Sequence, residues 1–510
     1  MNGKILLLFL STATVNADIV WKIDSEEQWK SAMEQSEGLH FGEGYATPDA
    51  DRASYTSVVR RFDRKVSLES FVLKQKPDWL DWNPISNIGP SNLEDAPVFL
   101  NLGEGNYWIF GRYGNEKARN EFASAEVELD GFDTPLKTTP FENQYDAPGG
   151  LEKSLGGYHA WKSVDMVRWV HYGPVTENFS RWVTTAEYFD GKAYIYYDFP
   201  NDQDPHLYID DDLTDGVPGK DMGLAFKDPS DGSDCAIIRG LDGRFHLIYE
   251  DWIPINAGKH SWDSPLAGHA VSPQGYGEFE ILPPAVDERT TPTGTFAEYP
   301  HPHWHQTLPE KYPAKMINPG WKWAPADRKF AAARYEMHEP EQNAYGDWAA
   351  IGIGGQYYLF GDFHPAGKSG HEMSVAWFTS SSLYQPFEFC DHIGEGHPDP
   401  DVIFAEGQFY LITQMDTDYV SPGPWVPGVE VRVGVDTDGD GQLDSWSDWQ
   451  EVEERYVAIE GYAKQVERFP ANMDTTGISP GYGFCSEVRV SGTVGEQVRP
   501  VLDSLILSFE

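Results

Sequence analysis

Asp95–Arg112 reads DAPVFLNLGEGNYWIFGR: an acid, an apolar run, a Gly-containing turn and an aromatic run. β-Branched and aromatic residues on both sides of a short Gly turn predict a β-hairpin. The same order of residue types returns four times, at Ala186–Asp198, Ser233–Asp251, Gly346–Phe363 and Pro398–Gln414. Because each copy begins at or near a carboxylate, the sequence predicts five related hairpins whose opening acids meet in one place.

The five hairpins predict a repeated architecture. Their opening acids are Asp95, Glu187, Asp234, Asp347, and either Asp399 or Asp401. Further strand-like segments follow the hairpins, so each unit should contain about four strands with the hairpin first. Four-stranded sheets repeated around an axis form a β-propeller, whose axis is lined by the innermost strands. We therefore predict an all-β fold with a five-bladed β-propeller at residues 87–428. An assembly of ordinary β-sandwiches is the alternative.

Composition and charge narrow the class of protein. Aromatic residues make up 14% of the chain, with 18 Trp and 26 Tyr, which suits an all-β protein and sugar stacking. The formal net charge is −43, from 38 Lys and Arg against 81 Asp and Glu. Nucleic acids and anionic membranes attract positive patches, so we expect neither as a partner.

The two ends of the chain differ from the middle. Residues 1–17 have the pattern of a secretory signal peptide, and no later stretch is long and apolar enough to span a membrane. We expect a secreted or periplasmic protein without membrane insertion. Residues 18–86 and 429–510 are strand-rich without the hairpin pattern, and we predict that they combine into an accessory β-sandwich. The three cysteines permit either one disulfide and a free thiol or three buried thiols.

A short acidic loop near the C-terminus predicts a metal site. It carries Asp at positions 1, 3, 5 and 9 and Gly at position 6, as in an EF-hand calcium loop. Position 12 is Ser447 instead of the bidentate Glu, and strand-like sequence flanks the loop. We predict a structural Ca²⁺, with an acidic turn without metal as the alternative. The predicted ligands are Asp436, Asp438, Asp440, Gln442 and Asp444.

One motif brings in a family resemblance. Ser163-x-Asp165-x-Val167-x-Trp169, followed by Gly173-Pro174, resembles a strand pair of the five-bladed propeller glycosidases in glycoside hydrolase families 43, 32 and 117. In those families this pair forms the outer strands of a blade and is structural. The resemblance covers the central hairpins and implies a propeller with glycosidase activity.

The resemblance also implies catalytic residues, because these families place their carboxylates at the axial ends of inner strands on blades one, three and four. By position these are Asp95, Asp234 and Asp347. Family 43 has Glu at the third place, so Asp347 departs from its pattern. Family 117 uses a His shortly before the third acid, where this chain has His338-Glu339. The resemblance thus gives Asp95 as general base and Asp234 as orienting group, with His338, Glu339 or Asp347 as general acid.

These residue types suit glycoside cleavage for a chemical reason. One protonated group must release the leaving oxygen, and one ionised carboxylate must activate water or attack carbon. A third acid nearby keeps the pKa of the general acid high by like-charge repulsion.

Other polar residues are predicted substrate contacts. The run EYPHPHWH at 298–305 puts three His at alternate positions, which an extended backbone would point to one side. A packed loop, a substrate contact through His303 and a metal site all remain open there. His397 and Asp399 open the fifth hairpin, and Glu187 opens the second, so we add these three to the predicted contacts.

We predict a secreted glycoside hydrolase acting on a plant or algal polysaccharide, galactan-like in the sharper version, or on its oligosaccharides. The first alternative is a polysaccharide lyase that uses His and Tyr, which a basic pocket around His159, His171 or His303 would favour. The second is a non-catalytic carbohydrate-binding propeller, which scattered or salt-bridged axial acids would favour.

Overall fold

The chain forms two compact units in the computed structural model. The propeller unit comprises residues 79–423 and 456–469, and the sandwich unit comprises residues 1–78, 424–455 and 470–510. The structure describes residues 19–42, 44–48, 52–76, 90, 93–113, 157–166, 168–177, 181–198, 205–227, 234–251, 264, 266–287, 343–366, 374–393, 399–413, 419–420, 429–452, 454–491 and 501–510. Among these residues no helix has the length and apolarity that a membrane crossing requires.

The N-terminal part of the sandwich unit contains one short helix and seven strands. They are β1 (Ile19–Ile23), α1 (Glu26–Ser31), β2 (Met33–Glu37), β3 (Leu39–Gly42), β4 (Tyr45–Pro48), β5 (Arg52–Ser57), β6 (Arg60–Val66) and β7 (Leu68–Lys76). The Ser25 hydroxyl caps α1 by accepting a hydrogen bond of 3.3 Å from the Gln28 amide.

The propeller unit consists of antiparallel sheets, which we call blades. Blade 1 contains β8 (Leu93–Asn101), β9 (Tyr107–Tyr113), β10 (Tyr158–Ser163) and β11 (Trp169–Pro174); blade 2 contains β12 (Trp182–Phe189), β13 (Lys192–Asp198), β14 (Pro205–Asp210) and β15 (Lys220–Leu224). Blade 3 contains β16 (Ala236–Arg239), β17 (Phe245–Glu250), β18 (Leu266–Ser272) and β19 (Glu280–Asp287); blade 4 contains β20 (Ala344–Ile353), β21 (Gln356–His364), β22 (Ser374–Ser380) and β23 (Glu388–Ile393). Blade 5 contains β24 (Asp401–Ala405), β25 (Gln408–Ile412) and β26 (Tyr419–Val420).

The first strands of the five blades form a closed ring. β8 contacts β12, β12 contacts β16, β16 contacts β20, β20 contacts β24, and β24 returns to β8. Buried apolar side chains join neighbouring blades; for example, Phe99 and Trp161 of blade 1 pack in one cluster with Ile403 and Ile412 of blade 5. The ring confirms the predicted five-bladed propeller, with each hairpin innermost in its blade.

The C-terminal strands complete the sandwich unit. They are β27 (Val429–Asp436), β28 (Ser445–Trp446), β29 (Gln450–Glu451), β32 (Ala471–Met473), β33 (Gly481–Ser491) and β34 (Val501–Phe509), while β30 (Arg455–Ala458) and β31 (Gln465–Phe469) lie between them in sequence. β34 pairs with β1, β4 and β7, and β33 pairs with β5, β6 and β27. The two sheets enclose one apolar core that includes Trp29, Tyr55, Phe71, Phe484 and Leu507. Both ends of the chain therefore build one sandwich, as predicted.

The segment 456–469 departs from the predicted boundaries. It was expected to belong to the C-terminal unit, but β31 pairs in parallel with β20 of the propeller, with Gly352 opposite Gln465 and Ile353 opposite Val466. β20 is the innermost strand of blade 4, so its free edge faces the propeller axis. The segment therefore enters the axis, and we call residues 456–469 the axial insert.

The SxDxxxW motif is structural, as the resemblance implied. Ser163 is the last residue of β10, and its hydroxyl accepts a hydrogen bond from the Asp165 amide at 3.2 Å. The Asp165 carboxylate in turn accepts from the Arg168 amide at 2.8 Å and from its guanidinium at 2.7 Å. Trp169 is fully buried at the start of β11. Together these contacts form the turn between the two outer strands of blade 1. Elsewhere, Cys235, Cys390 and Cys485 are all free thiols; Cys235 and Cys485 are buried as the second predicted arrangement requires, whereas Cys390 is partly exposed.

A buried histidine pair in blade 3 should make the stability of the fold depend on pH. His246 Nδ1 lies 3.0 Å from His269 Nε2, and burial lowers the pKa of His246 to about 4 and that of His269 well below its usual value. Asp242, Arg244 and Tyr384 are the charged and titratable neighbours of His246. In the unfolded chain these histidines bind a proton near pH 6.5, whereas in the folded chain they stay neutral. The free energy of unfolding should therefore be highest above pH 6.5. It should fall towards pH 4, by up to about 3 kcal/mol for His246 alone.

Denaturant unfolding between pH 4 and 7 measures this loss. His246→Asn keeps an amide near the Nδ1 position and should flatten the profile, whereas the exposed His40→Asn should leave it unchanged. An unchanged slope in His246→Asn would contradict the assignment.

Candidate active site

Four corresponding positions at the starts of the innermost strands share an unusual backbone conformation. Ala96, Asp234, Asp347 and Asp399 have positive φ angles of 27°, 48°, 47° and 57°. Positive φ is uncommon outside glycine, and Asp tolerates it better than most residues. These residues lie at the beginning of the innermost strands of blades 1, 3, 4 and 5. Local backbone strain is common at functional sites, so its repetition at one end of the propeller indicates a candidate site there.

All five blades contribute to one cavity at this end of the axis, which we call the carboxylate pocket. It is lined by Ala96, Pro97, Val98, Trp182, Val183, Thr184, Asp234, Asp347, Trp348, Asp399, Pro400 and Asp401. A backbone hydrogen bond also joins the segments that carry Asp347 and Asp234: the amide of Trp348, the residue after Asp347, donates to the Asp234 carbonyl at 3.1 Å.

Three carboxylates meet within the pocket wall. One side-chain oxygen from each of Asp347, Asp362 and Asp399 lies within 4.8 Å of the other two. The Asp399 amide donates to Asp362 Oδ1 at 2.6 Å, and the Asp347 and Asp399 side chains are hydrogen-bonded to each other. Because carboxylates only accept hydrogen bonds, a bond between two of them needs one bound proton. Such a group can share that proton or coordinate a divalent cation.

The electrostatics favour a proton on Asp347. Burial raises the pKa of Asp347 well above its usual value. The negative charge of Asp399 raises it further, followed by the charges of Asp234 and Asp362. A carboxyl that stays protonated among ionised neighbours has the property that a general acid requires.

Two acids that were not among the predicted site residues support the pocket. Asp198 is the last residue of β13, and Asp362 lies near the end of β21; these are the second strands of their hairpins. Each accepts the amide of the positive-φ Asp of the next blade: Asp234 N to Asp198 Oδ2 at 3.1 Å, and Asp399 N to Asp362 Oδ1 at 2.6 Å. A sequence signal existed, because the second, third and fourth hairpins all carry an acid at this point.

The structure brings together three of the predicted site residues: Asp234, Asp347 and Asp399. Asp95 lies in β8 directly before Ala96, which lines the pocket, and its side chain is outside the described part. His338, Glu339, His303 and His397 lie outside the described residues.

Glu187 needs a correction. It does not open its strand, because β12 begins at Trp182, and its side chain is fully buried away from the carboxylate pocket. Its carboxylate accepts three backbone amides, from Tyr188 at 2.8 Å, Arg239 at 2.9 Å and Ala463 at 3.0 Å. We therefore assign Glu187 a structural role in place of the predicted substrate contact.

Asp401, the alternative opening acid of blade 5, is also structural. Its carboxylate accepts the Phe99 amide of blade 1 at 2.6 Å and its own neighbour Val402 at 2.8 Å. Asp401 thus joins blade 5 to blade 1, as Glu187 joins blade 2 to blade 3. This leaves Asp399 as the residue corresponding to Asp234 and Asp347.

Two of the three histidines that would have favoured a lyase lie away from the carboxylate pocket, and the third, His303, is outside the described residues. His159 and His171 are fully buried in the outer strands of blade 1, where His159 Nδ1 lies 2.8 Å from His171 Nε2. The described lining of the carboxylate pocket contains carboxylates and tryptophans and no His, Lys or Arg.

The acidic loop of the sandwich unit gathers part of the predicted metal site. Asp436, Asp438 and Asp444 each place one oxygen within 4.8 Å of the other two. Asp440 and Gln442 do not join this cluster; Asp440 Oδ1 instead accepts the Gln442 amide at 2.7 Å. Three carboxylates suit Ca²⁺, which takes oxygen ligands. The Arg61 guanidinium lies 3.7 Å from the Asp436 carboxylate and balances part of the negative charge of these three carboxylates.

Comparison with known proteins gives structural similarities only. No family model matches the chain, and no curated protein matches it in sequence. A thermostable family-43 glycoside hydrolase is 10% identical, covers 78% of this chain and 99% of its own, and has a TM-score of 0.37. An endo-arabinase from Bacteroides thetaiotaomicron is 9% identical, covers 66% of this chain and 95% of its own, and has a TM-score of 0.37.

A GH43_1 enzyme from Xanthomonas citri is 13% identical, covers 66% of this chain and 89% of its own, and has a TM-score of 0.38. Similarities at these identities and TM-scores concern the overall arrangement of strands, and the five-bladed fold follows from the strand pairing and contacts of the chain itself.

Proposed function

We propose that this protein is a glycoside hydrolase whose active site is the carboxylate pocket. The observation that carries the proposal is that Asp347 lines one axial pocket with Asp399 and Asp234, where burial and these neighbouring charges raise the pKa of Asp347. Glycoside cleavage needs this combination of one proton donor and one ionised carboxylate across a scissile bond. Half-buried Trp182 in the lining offers apolar surface beside the carboxylates, which suits a sugar ring.

In the proposed mechanism Asp347 donates its proton to the leaving glycosidic oxygen. Asp95, directly before the pocket residue Ala96, is the proposed general base, and Asp234 orients substrate and keeps the pKa of Asp347 high. Asp399 contributes more to that pKa than Asp234 does, since its charge is the larger effect. His338 and Glu339 are not needed as proton donors in this scheme.

We propose a plant or algal polysaccharide, galactan-like or otherwise, as substrate, and export of the protein as the reason for the pattern at residues 1–17. Release of reducing sugar from arabinan, xylan, galactan and agar oligosaccharides tests the activity. Asp234→Asn should reduce the rate on the cleaved substrate by about 100-fold, since a substrate misplaced by about 1 Å loses about 10²-fold in rate. The exposed Asp211→Asn is the matched control and should keep the full rate. A lyase would instead release unsaturated products that absorb short-wavelength ultraviolet light.

We also propose that Asp436, Asp438 and Asp444 bind a structural Ca²⁺ in the sandwich unit. A ligand that binds only the folded state stabilises it, by about 2.7 kcal/mol at one hundred times its Kd. Adding Ca²⁺ to chelator-treated protein should therefore raise the Tm of the sandwich unit. Asp444→Asn should abolish that rise, and Asp440→Asn, outside the cluster, should retain it. An equal response of both variants would overturn the assignment of ligands.

A further inference from the structure

A second, larger cavity lies at the other end of the propeller axis, and we call it the far pocket. Its volume is about 700 Å³, within the range of small-ligand pockets. It is lined by the hairpin turns of blades 1 and 5, by Tyr188 of blade 2 and by residues 456–462 of the axial insert.

The two pockets share the same innermost strands. In β12, Val183 lines the carboxylate pocket and Tyr188 lines the far pocket; in β24 the corresponding residues are Asp401 and Ala405. At about 3.3 Å per residue these positions are about 13–17 Å apart along the strands. Buried Glu187 and Lys464 lie between the two ends. A ligand in the far pocket would therefore not touch the catalytic carboxylates.

The lining combines aromatic rings with carboxylates. Tyr188 and Tyr462 are half-buried, while Glu104, Glu406 and Glu460 are exposed. The described lining contains no Lys or Arg. Sugar rings stack their C–H faces on aromatic rings, and their hydroxyls donate to carboxylates. Anionic sugars would be repelled by the three glutamates, so the chemistry fits an uncharged glycan.

The far pocket is also held in place before any ligand arrives. The Arg239 guanidinium stacks 3.9 Å from the Tyr462 ring centre and donates to the Gly461 carbonyl. The Tyr107 hydroxyl donates to Glu406 Oε1 at 2.8 Å, which fixes that carboxylate. Fixed binding groups lose little conformational entropy on binding, which favours affinity.

We propose that the far pocket is a non-catalytic binding site for a neutral glycan chain. Its bound glycan would hold the protein on a polysaccharide while the carboxylate pocket remains free. This site does not depend on the proposed hydrolase activity, because none of its residues belongs to the carboxylate pocket.

Affinity electrophoresis of the full chain in gels containing arabinan, xylan, galactan or laminarin tests the proposal. At least one neutral polysaccharide should retard the protein, and polygalacturonate should not. Tyr188→Ala should weaken that retardation by about tenfold, the cost of losing one well-packed aromatic contact. The Glu104→Gln/Glu460→Gln variant changes only exposed side chains, so it should fold normally and also weaken retardation.

The matched control is Tyr384→Ala, which removes a tyrosine that is 45% exposed on blade 4, outside both pockets. It should leave retardation unchanged. The proposal is overturned if no neutral polysaccharide retards the protein, if the far-pocket variants bind as tightly as the control, or if only polygalacturonate or oligolysine binds. Asp347→Asn should retain the retardation, so a failed hydrolase assignment and a failed far pocket give different results.

Discussion

Asp347→Asn is expected to reduce hydrolysis of the polysaccharide by about 10³-fold, because it removes the proton that the leaving oxygen must receive. The loss should depend on the leaving group. An activated aryl glycoside of the same sugar departs without protonation, so Asp347→Asn should cleave it at nearly the wild-type rate. Asp234→Asn, which keeps Asp347 in place but removes the group proposed to orient the substrate, should lose activity on both substrates.

The pH dependence gives an independent readout. Wild-type activity should fall as pH rises through the raised pKa of Asp347, and the variant should lack that alkaline limb. Stability should also fall as pH rises. An acid whose folded-state pKa is raised stabilises the fold less as pH rises from about 4, at about 1.4 kcal/mol per unit. Asp347→Asn should therefore unfold at a higher denaturant concentration than the wild type at pH 7.

Kinetics on both substrates, together with denaturant unfolding at pH 7, cover these expectations. If Asp347→Asn cleaves the polysaccharide at more than half the wild-type rate, Asp347 is not the general acid. Equal losses on the two substrates would assign it another role, such as holding a cation, which restoration by added divalent metal would then reveal.

Lys464→Met should have the largest effect on stability. Lys464 belongs to the axial insert, is 3% exposed, and its ammonium donates to Thr185 Oγ1 at 2.9 Å. Its positive charge lowers the pKa of buried Glu187 and of buried Asp401, against the larger effect of burial. Removing one member of a buried set of charges leaves the others uncompensated, at a cost of about 3 kcal/mol.

Denaturant unfolding of single and double variants measures this cost. Lys464→Met/Glu187→Gln removes one of the two stranded carboxylates and should recover part of the loss. Lys192→Met, at an exposed position on β13, is the control and should differ from the wild type by less than about 0.5 kcal/mol. A Lys464→Met protein as stable as this control would show that Glu187 and Asp401 do not need its charge.

The fold was predictable from sequence because alternation and turn residues repeat. Each hairpin carries its own Gly turn and aromatic run, as in Asp95–Arg112, and local signals of this kind specify strands directly. The axial insert was not predictable in this way. β31 pairs with β20 across more than a hundred intervening residues. The sequence of β31 predicts a strand but does not indicate which strand it pairs with.

The site was predictable where the repeat placed it. Asp234, Asp347 and Asp399 open their hairpins and meet at the axis. Glu187 was predicted to open its hairpin, but β12 begins five residues earlier. Apolar alternation predicts which face of a strand is buried and does not predict where the strand starts. The roles of Asp198 and Asp362 depend on the amide of the next blade, which no single hairpin contains.

The axial insert has a consequence for biosynthesis. A ribosome releases the five blades in order, yet the last strand to enter the axis lies at Gln465–Phe469, after the first strand of the second half of the sandwich unit. Until that segment emerges, Glu187 and Asp401 have no ammonium beside them, and one edge of β20 has no partner. Nascent chains that stop before residue 456 should therefore remain sensitive to protease, and a full-length chain should gain resistance in one late step.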